Sequence, residues 1–255
     1  MRGKASRRLV FLCAALVVAG LLFLYLQVSR QSGSEEADAL AVSFQAYETS
    51  LPTSYVYADK MPAYQGEDML VLNKNRPNFT EQDLMEIYLG EERFEGLDEL
   101  GRCRGVIANL DASMIPTAER EGIGDVRPSG WHTVKYPELI EDNYLYNRCH
   151  LIAFALTGRN ADINNLVTGT RHLNKDLMLE YEIAAIRYLE SSPRNRLMYR
   201  VTPYYYKDEL VCRGIEMEAY SMNDDGRSLS YHVFLYNVQP GIEIDYATGD
   251  SWERE

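Results

Sequence analysis

The sequence predicts an α+β domain with a central antiparallel sheet, carried behind an apolar N-terminal segment. Three observations lead there. Three long runs rich in β-branched and aromatic residues, 197–206, 209–222 and 229–238, follow one another late in the chain. A single long helical pattern, 173–189, precedes them instead of alternating with them. No Gly-rich loop follows a strand, which disfavours a nucleotide-binding α/β fold.

The elements can be justified in chain order. Arg2, Lys4, Arg7 and Arg8 precede an apolar run over 9–28, broken only by Gln27. Twenty helical residues at about 1.5 Å each span the hydrocarbon core of a bilayer. We read residues 1–28 as a transmembrane signal anchor, favoured over a cleaved signal peptide because no clear cleavage site follows directly. The positive flank precedes the span, so the rest of the chain is expected outside the cell; secretion after cleavage is the alternative. Residues 29–54 are polar and rich in Ser and Glu, and read as a linker. Residues 55–255 read as one domain.

Within that domain, Thr80 is a candidate N-cap with Asp83 at the third helical position. Residues 105–110 (GVIANL) suit a strand. Pro128-Ser129-Gly130 is a turn, and residues 131–136 (WHTVKY) alternate like a strand. Residues 144–152 (YLYNRCHLI) form a second strand-like run. The helical pattern of 173–189 stops before Pro193. Asn223-Asp224-Asp225-Gly226 marks a hairpin between the last two strands.

The net charge is −12, which at first argues against binding nucleic acid. The acidity is concentrated in the flanks. Residues 31–99 carry 4 basic and 15 acidic residues, and residues 214–255 carry 2 basic and 9 acidic. Residues 100–213 are near neutral, with 15 basic and 14 acidic. Weak, salt-sensitive binding of a polyanion is the expectation there. Of four cysteines, Cys13 lies in the span, which leaves an odd set of Cys103, Cys149 and Cys212.

The chemistry-bearing residues cluster between 147 and 182. Asn147, Arg148 and His150 sit at the end of a predicted strand; Asn164, Asn165, Arg171, His172, Asn174 and Glu182 follow. Amide and carboxylate oxygens suit Mg²⁺, which keeps most of its waters. Imidazole can take a proton from water near neutral pH, and a divalent cation can neutralise charge added to a phosphodiester. Taken singly, each residue also has a bland reading, since a histidine at a strand end is usually a core-edge or surface residue.

The order Asn147-Arg148-Cys149-His150, then Asn165, Asn174 and Glu182, resembles the DNA/RNA non-specific endonuclease family, whose signature is Asp-Arg-Gly-His followed by two Asn and a Glu. Residues 166–173, the 198–203 strand, Tyr236-Asn237-Val238-Gln239-Pro240-Gly241 and Asp245-Tyr246-Ala247-Thr248-Gly249 are similar to the DNA-entry branch of that family. The resemblance covers about residues 55–255. It implies a ββα-metal (His-Me finger) fold and a metal-dependent, sequence-nonspecific nuclease acting on DNA and also on RNA. It implies that His150 is the general base and Asn174 the protein ligand to Mg²⁺, with Mn²⁺ a possible substitute. Glu182 matches a carboxylate acting on the metal through water, Asn165 a residue supporting base and metal geometry, and Arg148 the arginine of the motif. A substrate-contacting arginine is expected before the ββα segment, with Arg127 preferred over Arg120; Arg171 is a further candidate for binding substrate.

Two positions depart from the signature. Asn147 replaces Asp and removes a negative charge. Cys149 replaces Gly and adds a thiol, which either pairs with Cys103 or stays a buried thiol. A regular helix would separate Asn174 and Glu182 by about 12 Å along its axis, so both cannot touch one ion unless its first turn is irregular. His172 is expected to face solvent, and His132 and His232 to lack partners at metal-ligand spacing. Tyr204 to Tyr206 are expected to pack in the sheet more than to stack on bases. Two other readings stand beside the nuclease: an inactive nucleic-acid-binding member of the same fold, and a cysteine hydrolase using Cys149. Adjacent residues on a strand face opposite ways, which argues against a Cys149–His150 pair.

Overall fold

The computed structural model describes residues 57–58 and 61–254. The expected anchor and linker lie outside the described residues. No helix among the described residues is long and apolar enough to cross a membrane.

The frame is a six-stranded antiparallel sheet. Its strands are β1 (Met69–Val71), β2 (Glu92–Phe94), β3 (Val106–Asp111), β6 (Arg196–Tyr204), β7 (Gly214–Ser221) and β8 (Ser230–Tyr236). Their spatial order is β1-β8-β7-β6-β3-β2. The β6-β7-β8 meander follows the sequence pattern, and the Asn223–Gly226 turn joins its last two strands. Every residue of β8 from Tyr231 to Tyr236 is buried, because both sheet faces are covered. One face packs against the long helix, where the rings of Tyr181 and Tyr231 meet edge-on at 4.9 Å. The other face is covered by the segment before β2, whose helix α1 (Glu81–Glu86) starts at the expected Thr80–Asp83 capping box.

A second unit stands beside this sheet. Strands β4 (Tyr146–His150) and β5 (Leu166–Thr170) pair as an antiparallel hairpin, joined by a loop holding the short helix α2 (Phe154–Thr157). A wide turn, Leu173–Leu177, then leads into α3 (Met178–Ser191). This gives the ββα unit in chain order. Two small strands, β9 (Ile242–Ile244) and β10 (Ser251–Glu253), close the chain as a hairpin.

The strand expected over 131–136 does not form. Only Lys135 makes an isolated bridge, to Tyr144. Its alternating apolar residues Trp131, Val134 and Tyr136 instead pack on a cluster of Ile140, Leu145, Tyr146 and Ile242. Burial against the C-terminal hairpin satisfies the alternation without strand pairing. The partner of β4 is the fully buried run of β5, which has no alternation to reveal it. Asn237 locks β5 to the sheet. Its amide donates to Thr168 O and Cys212 O, and its Oδ1 accepts from Thr170 N at 2.8 Å.

No disulfide joins the described cysteines; Cys103, Cys149 and Cys212 are buried thiols. Cys103 donates to Asn164 O at 2.6 Å and Cys149 faces Met178 Sδ at 3.2 Å. The pairing of Cys103 with Cys149 is therefore not formed. Cys149 has room because Gly169 lies beside it across the hairpin: a Cβ on Gly169 would come within 2.7 Å of the Cys149 Cβ.

Candidate active site

His150 ends β4 and is 6% exposed. Its Nε2 lies 2.8 Å from the carbonyl oxygen of Asn160, and its Nδ1 lies 3.3 Å from Nη2 of Arg120. A carbonyl can only accept and a guanidinium can only donate. The ring that satisfies both is neutral, with its proton on Nε2 and a lone pair on Nδ1. Burial, helped by the Arg120 charge, pushes His150 down to about 4, against the upward pull of the Asn160 bond. It is uncharged at neutral pH.

Arg120, not Arg127, is the arginine at His150. Its Nε also donates to Asn160 Oδ1 at 3.3 Å, and its guanidinium lies 5.8 Å from the Phe154 ring. Arg127 is exposed and lies close enough to Arg148 to disfavour its charge. The sequence missed Asn160, which holds both His150 and Arg120. The loop bearing it is fixed by Arg159, bound to Glu92 at 3.0 Å and to Asp162 at 2.9 Å. Nothing local marks Asn160, because its partners lie 10 and 40 residues away.

Asn165 is fully buried and is a positioning residue. It accepts from Ile152 N and donates to Ile152 O, both at 2.9 Å, so it fixes the chain just after His150. Arg148 is used structurally. It donates to Val126 O and Gly124 O and lies 4.0 Å over the Trp131 ring, clamping the 124–131 loop. Arg171 is held by Glu141, Asp142 and Asp176 at 3.1, 3.0 and 2.9 Å. Its charge is already matched by carboxylates, which removes the ground for a substrate-binding role. His172 does not face solvent; it lies between Asp176 at 2.8 Å and Asp68 at 2.9 Å.

Asn174 sits in the wide turn, where Met178 N–H bonds to Leu173 O, five residues back. Thr170 starts this turn by accepting from Leu173 N at 2.9 Å. Eight positions of a regular α-helix rotate through about 800°, leaving residues 174 and 182 roughly 80° apart. A wide turn that absorbs one extra residue reduces this to about 700°, within roughly 20° of two full turns. The irregular turn thus brings Asn174 and Glu182 toward one helix face. Glu182 keeps an opening to solvent, but the protein crowds its carboxyl and burial raises it to about 7, while Lys175 and Arg120 pull it down. Arg120 therefore acts on both His150 and Glu182.

The side chains of Asn147, Asn174 and Glu182 make no hydrogen bond to any described residue. Amide and carboxylate oxygens of this kind suit a hard divalent cation. Cys149 faces the other way, toward Met178, and burial raises its thiol well above the ordinary value. That argues against a thiolate nucleophile.

These features have counterparts in known proteins. The DNA/RNA non-specific endonuclease family matches residues 84–223. The chain belongs to that family. It is similar to the nuclease NucA from Streptococcus agalactiae solved without metal, at 25% identity and a TM-score of 0.63 over 76% of this chain and 91% of that one. The magnesium-bound form of NucA gives 23% identity and a TM-score of 0.64, covering 82% and 94%. Sda1 nuclease with bound zinc gives 21% and 0.59, covering 73% and 97%. The fold is the ββα-metal nuclease fold, and the endonuclease is a phosphodiester hydrolase of the non-specific class.

One cluster was unexpected. Glu216, Glu218 and His232 bring ligand-type atoms within 4.8 Å of one another, although His232 was expected to lack partners. Cross-strand pairing of His232 with Glu218 makes the cluster, so no local spacing discloses it. Its groups bind one another and the protein. His232 Nδ1 donates to Arg76 O at 3.0 Å and Nε2 donates to Glu216. Glu218 accepts from Arg200 and from Asn78 N, each at 2.6 Å. This is a proton-bearing ion network on the sheet face away from α3. His132, by contrast, has polar contacts among the described residues with Thr248 O at 3.0 Å and, loosely, with Asp250 at 3.8 Å.

Proposed function

We propose that this endonuclease cuts DNA, and RNA as well, without sequence preference, using His150 as general base and Mg²⁺ as its metal. The observation that carries the reading is the pair of groups at the His150 ring, the Asn160 carbonyl at Nε2 and Arg120 at Nδ1. A carbonyl favours the proton on Nε2, which leaves the lone pair on Nδ1 to accept a proton from water.

Arg120 has two tasks in this reading. Before substrate binds, it shields Nδ1 and keeps the ring neutral. When a phosphate arrives, the guanidinium turns to the phosphate oxygens, which it matches better than an imidazole. The lone pair is freed, the charge beside His150 is neutralised, and the base strengthens as the reaction begins. Asn165 and Asn160 keep the ring in place throughout. Asn174, with Glu182 turned toward the same helix face, would hold the metal, which supplies Lewis-acid neutralisation of charge on the phosphodiester and its leaving oxygen. Mn²⁺ is expected to substitute, since it takes the same oxygen donors. Magnesium in NucA supports the choice of Mg²⁺.

We place the enzyme on the cell membrane through residues 1–28, with the catalytic domain outside, from the charge flank and length of the apolar run. Fractionation before and after protease treatment of intact cells tests this; a protected domain would refute it.

The activity is tested by incubating the purified chain with supercoiled plasmid and with folded RNA, in Mg²⁺ or EDTA. The expected result is smearing of both substrates in Mg²⁺ and none in EDTA. Intact substrates in both Mg²⁺ and Mn²⁺ would favour the inactive binding protein instead.

A further inference from the structure

A cavity of about 540 Å³ lies away from His150, which is not among its lining residues. Tyr64, Tyr206, Tyr246 and Trp252 line it, together with Arg213 and Arg254. Tyr236 lines it as well, five residues along β8 from the Tyr231 that packs on α3, so the two rings point to opposite sheet faces. The cavity is therefore separate from the cleavage centre.

Its lining combines exposed aromatic rings with guanidinium groups. Trp252 is 50% exposed and Tyr64 is 44% exposed, although large rings gain most when covered. Both rings are held in place at their polar ends: Trp252 Nε1 donates to Glu243 at 2.9 Å and Tyr64 Oη donates to Asp68 at 3.1 Å. Tyr64 also meets the Tyr236 ring edge-on at 5.0 Å, and the exposed part of each ring is left for a flat partner. Arg213 already stacks on Tyr246 at 4.4 Å. Arg254 is 57% exposed and only loosely paired, 3.7 Å from Glu243. Rigid aromatic faces beside a weakly committed guanidinium suit a nucleobase with its phosphate.

We propose that this cavity is a nucleobase-binding subsite for single-stranded nucleic acid, distinct from the site of cleavage. The proposal rests on the nuclease reading for its choice of ligand. It also answers a difficulty posed by the charge of −12. Phosphate contacts are scarce on such a chain, whereas stacking needs no excess of positive charge and is weakened little by salt. The subsite would hold a strand while bonds elsewhere in it are cut.

The test is binding of a fluorescein-labelled deoxythymidine decamer to the full-length chain in EDTA, where cleavage is not required. Trp252→Ala is expected to weaken binding roughly tenfold, and Trp252→Phe to restore most of it. The two tryptophans of the chain give a second readout. Deoxythymidine monophosphate should quench fluorescence in Trp131→Phe, which retains only Trp252. Hydrolysis of bis(p-nitrophenyl) phosphate, too small to span both sites, should be unchanged in Trp252→Ala. Unchanged decamer affinity in both Trp252→Ala and Tyr64→Ala would overturn the proposal, as would absence of quenching. Because binding is read without cleavage, an inert enzyme that still binds through Trp252 would sink the nuclease reading and leave the subsite standing.

Discussion

Two histidines of this enzyme are almost equally buried, His150 at 6% and His232 at 1% exposure, yet their surroundings shift them in opposite directions. His150 faces an arginine and a carbonyl, and burial with that arginine lowers it to about 4. His232 faces a carbonyl and two glutamates, which raise it above its ordinary value despite burial. The first is neutral and offers a lone pair; the second is held toward its charged form by acceptors at both ring nitrogens and ties strands together. Burial alone thus says nothing of a histidine's task, and the neighbours decide it. The arginines divide in the same way. Arg171 and Arg200 are matched by carboxylates and build the fold, whereas Arg120 meets a histidine and an amide.

This contrast can be broken most forcefully at His150. His150→Ala should lower the cleavage rate by roughly 10²–10⁴-fold, the usual contribution of a general base, and leave the unfolding midpoint nearly unchanged. Asn174→Ala should act on the metal instead, raising the Mg²⁺ concentration needed for half-maximal rate by tenfold or more. An unchanged metal titration would remove Asn174 from the metal site.

His232→Gln should do the reverse of His150→Ala, keeping the rate and losing stability. Breaking a buried ion pair destabilises by about 3–5 kcal/mol, readable as a lower denaturation midpoint. The pH dependence sharpens this. The folded value of His232 lies above the unfolded one, so its stabilisation is complete below about pH 6.5 and fades as pH rises through the folded value. His232→Gln should erase that slope between wild type and variant; a slope that persists would assign it elsewhere.

Arg120→Ala should move the acidic limb of kcat/KM. Removing a positive charge from Nδ1 makes imidazolium easier to form, so the limb should shift to higher pH than in wild type, with a fall in rate. A limb that stays in place would mean that Arg120 does not set the state of His150. Arg171→Ala, the smallest effect, should change neither rate nor salt dependence.

Much of the fold was legible in the sequence. The meander and the Thr80 cap follow from local patterns, and the order of a few residues singled out His150, Asn174 and Glu182 as candidates. What was hidden depends on contacts distant in sequence. The β5 strand is buried on both faces and shows no alternation. The 131–136 run alternates, but packs on the C-terminal hairpin instead of pairing. Arg120 and Asn160 meet across 40 residues, and His232 finds Glu218 only through strand register. The wide turn at Leu173–Leu177 is likewise unmarked, since its residues also suit a regular helix.

The central claim is that His150 takes the proton from the attacking water. Its most direct test is chemical rescue: single-turnover plasmid cleavage by His150→Ala in saturating Mg²⁺, with and without added imidazole. The account requires a variant almost inert alone, whose rate rises with imidazole concentration and follows the free-base fraction of imidazole as pH is varied. A variant that cuts at the wild-type rate without imidazole would show that His150 is not the base.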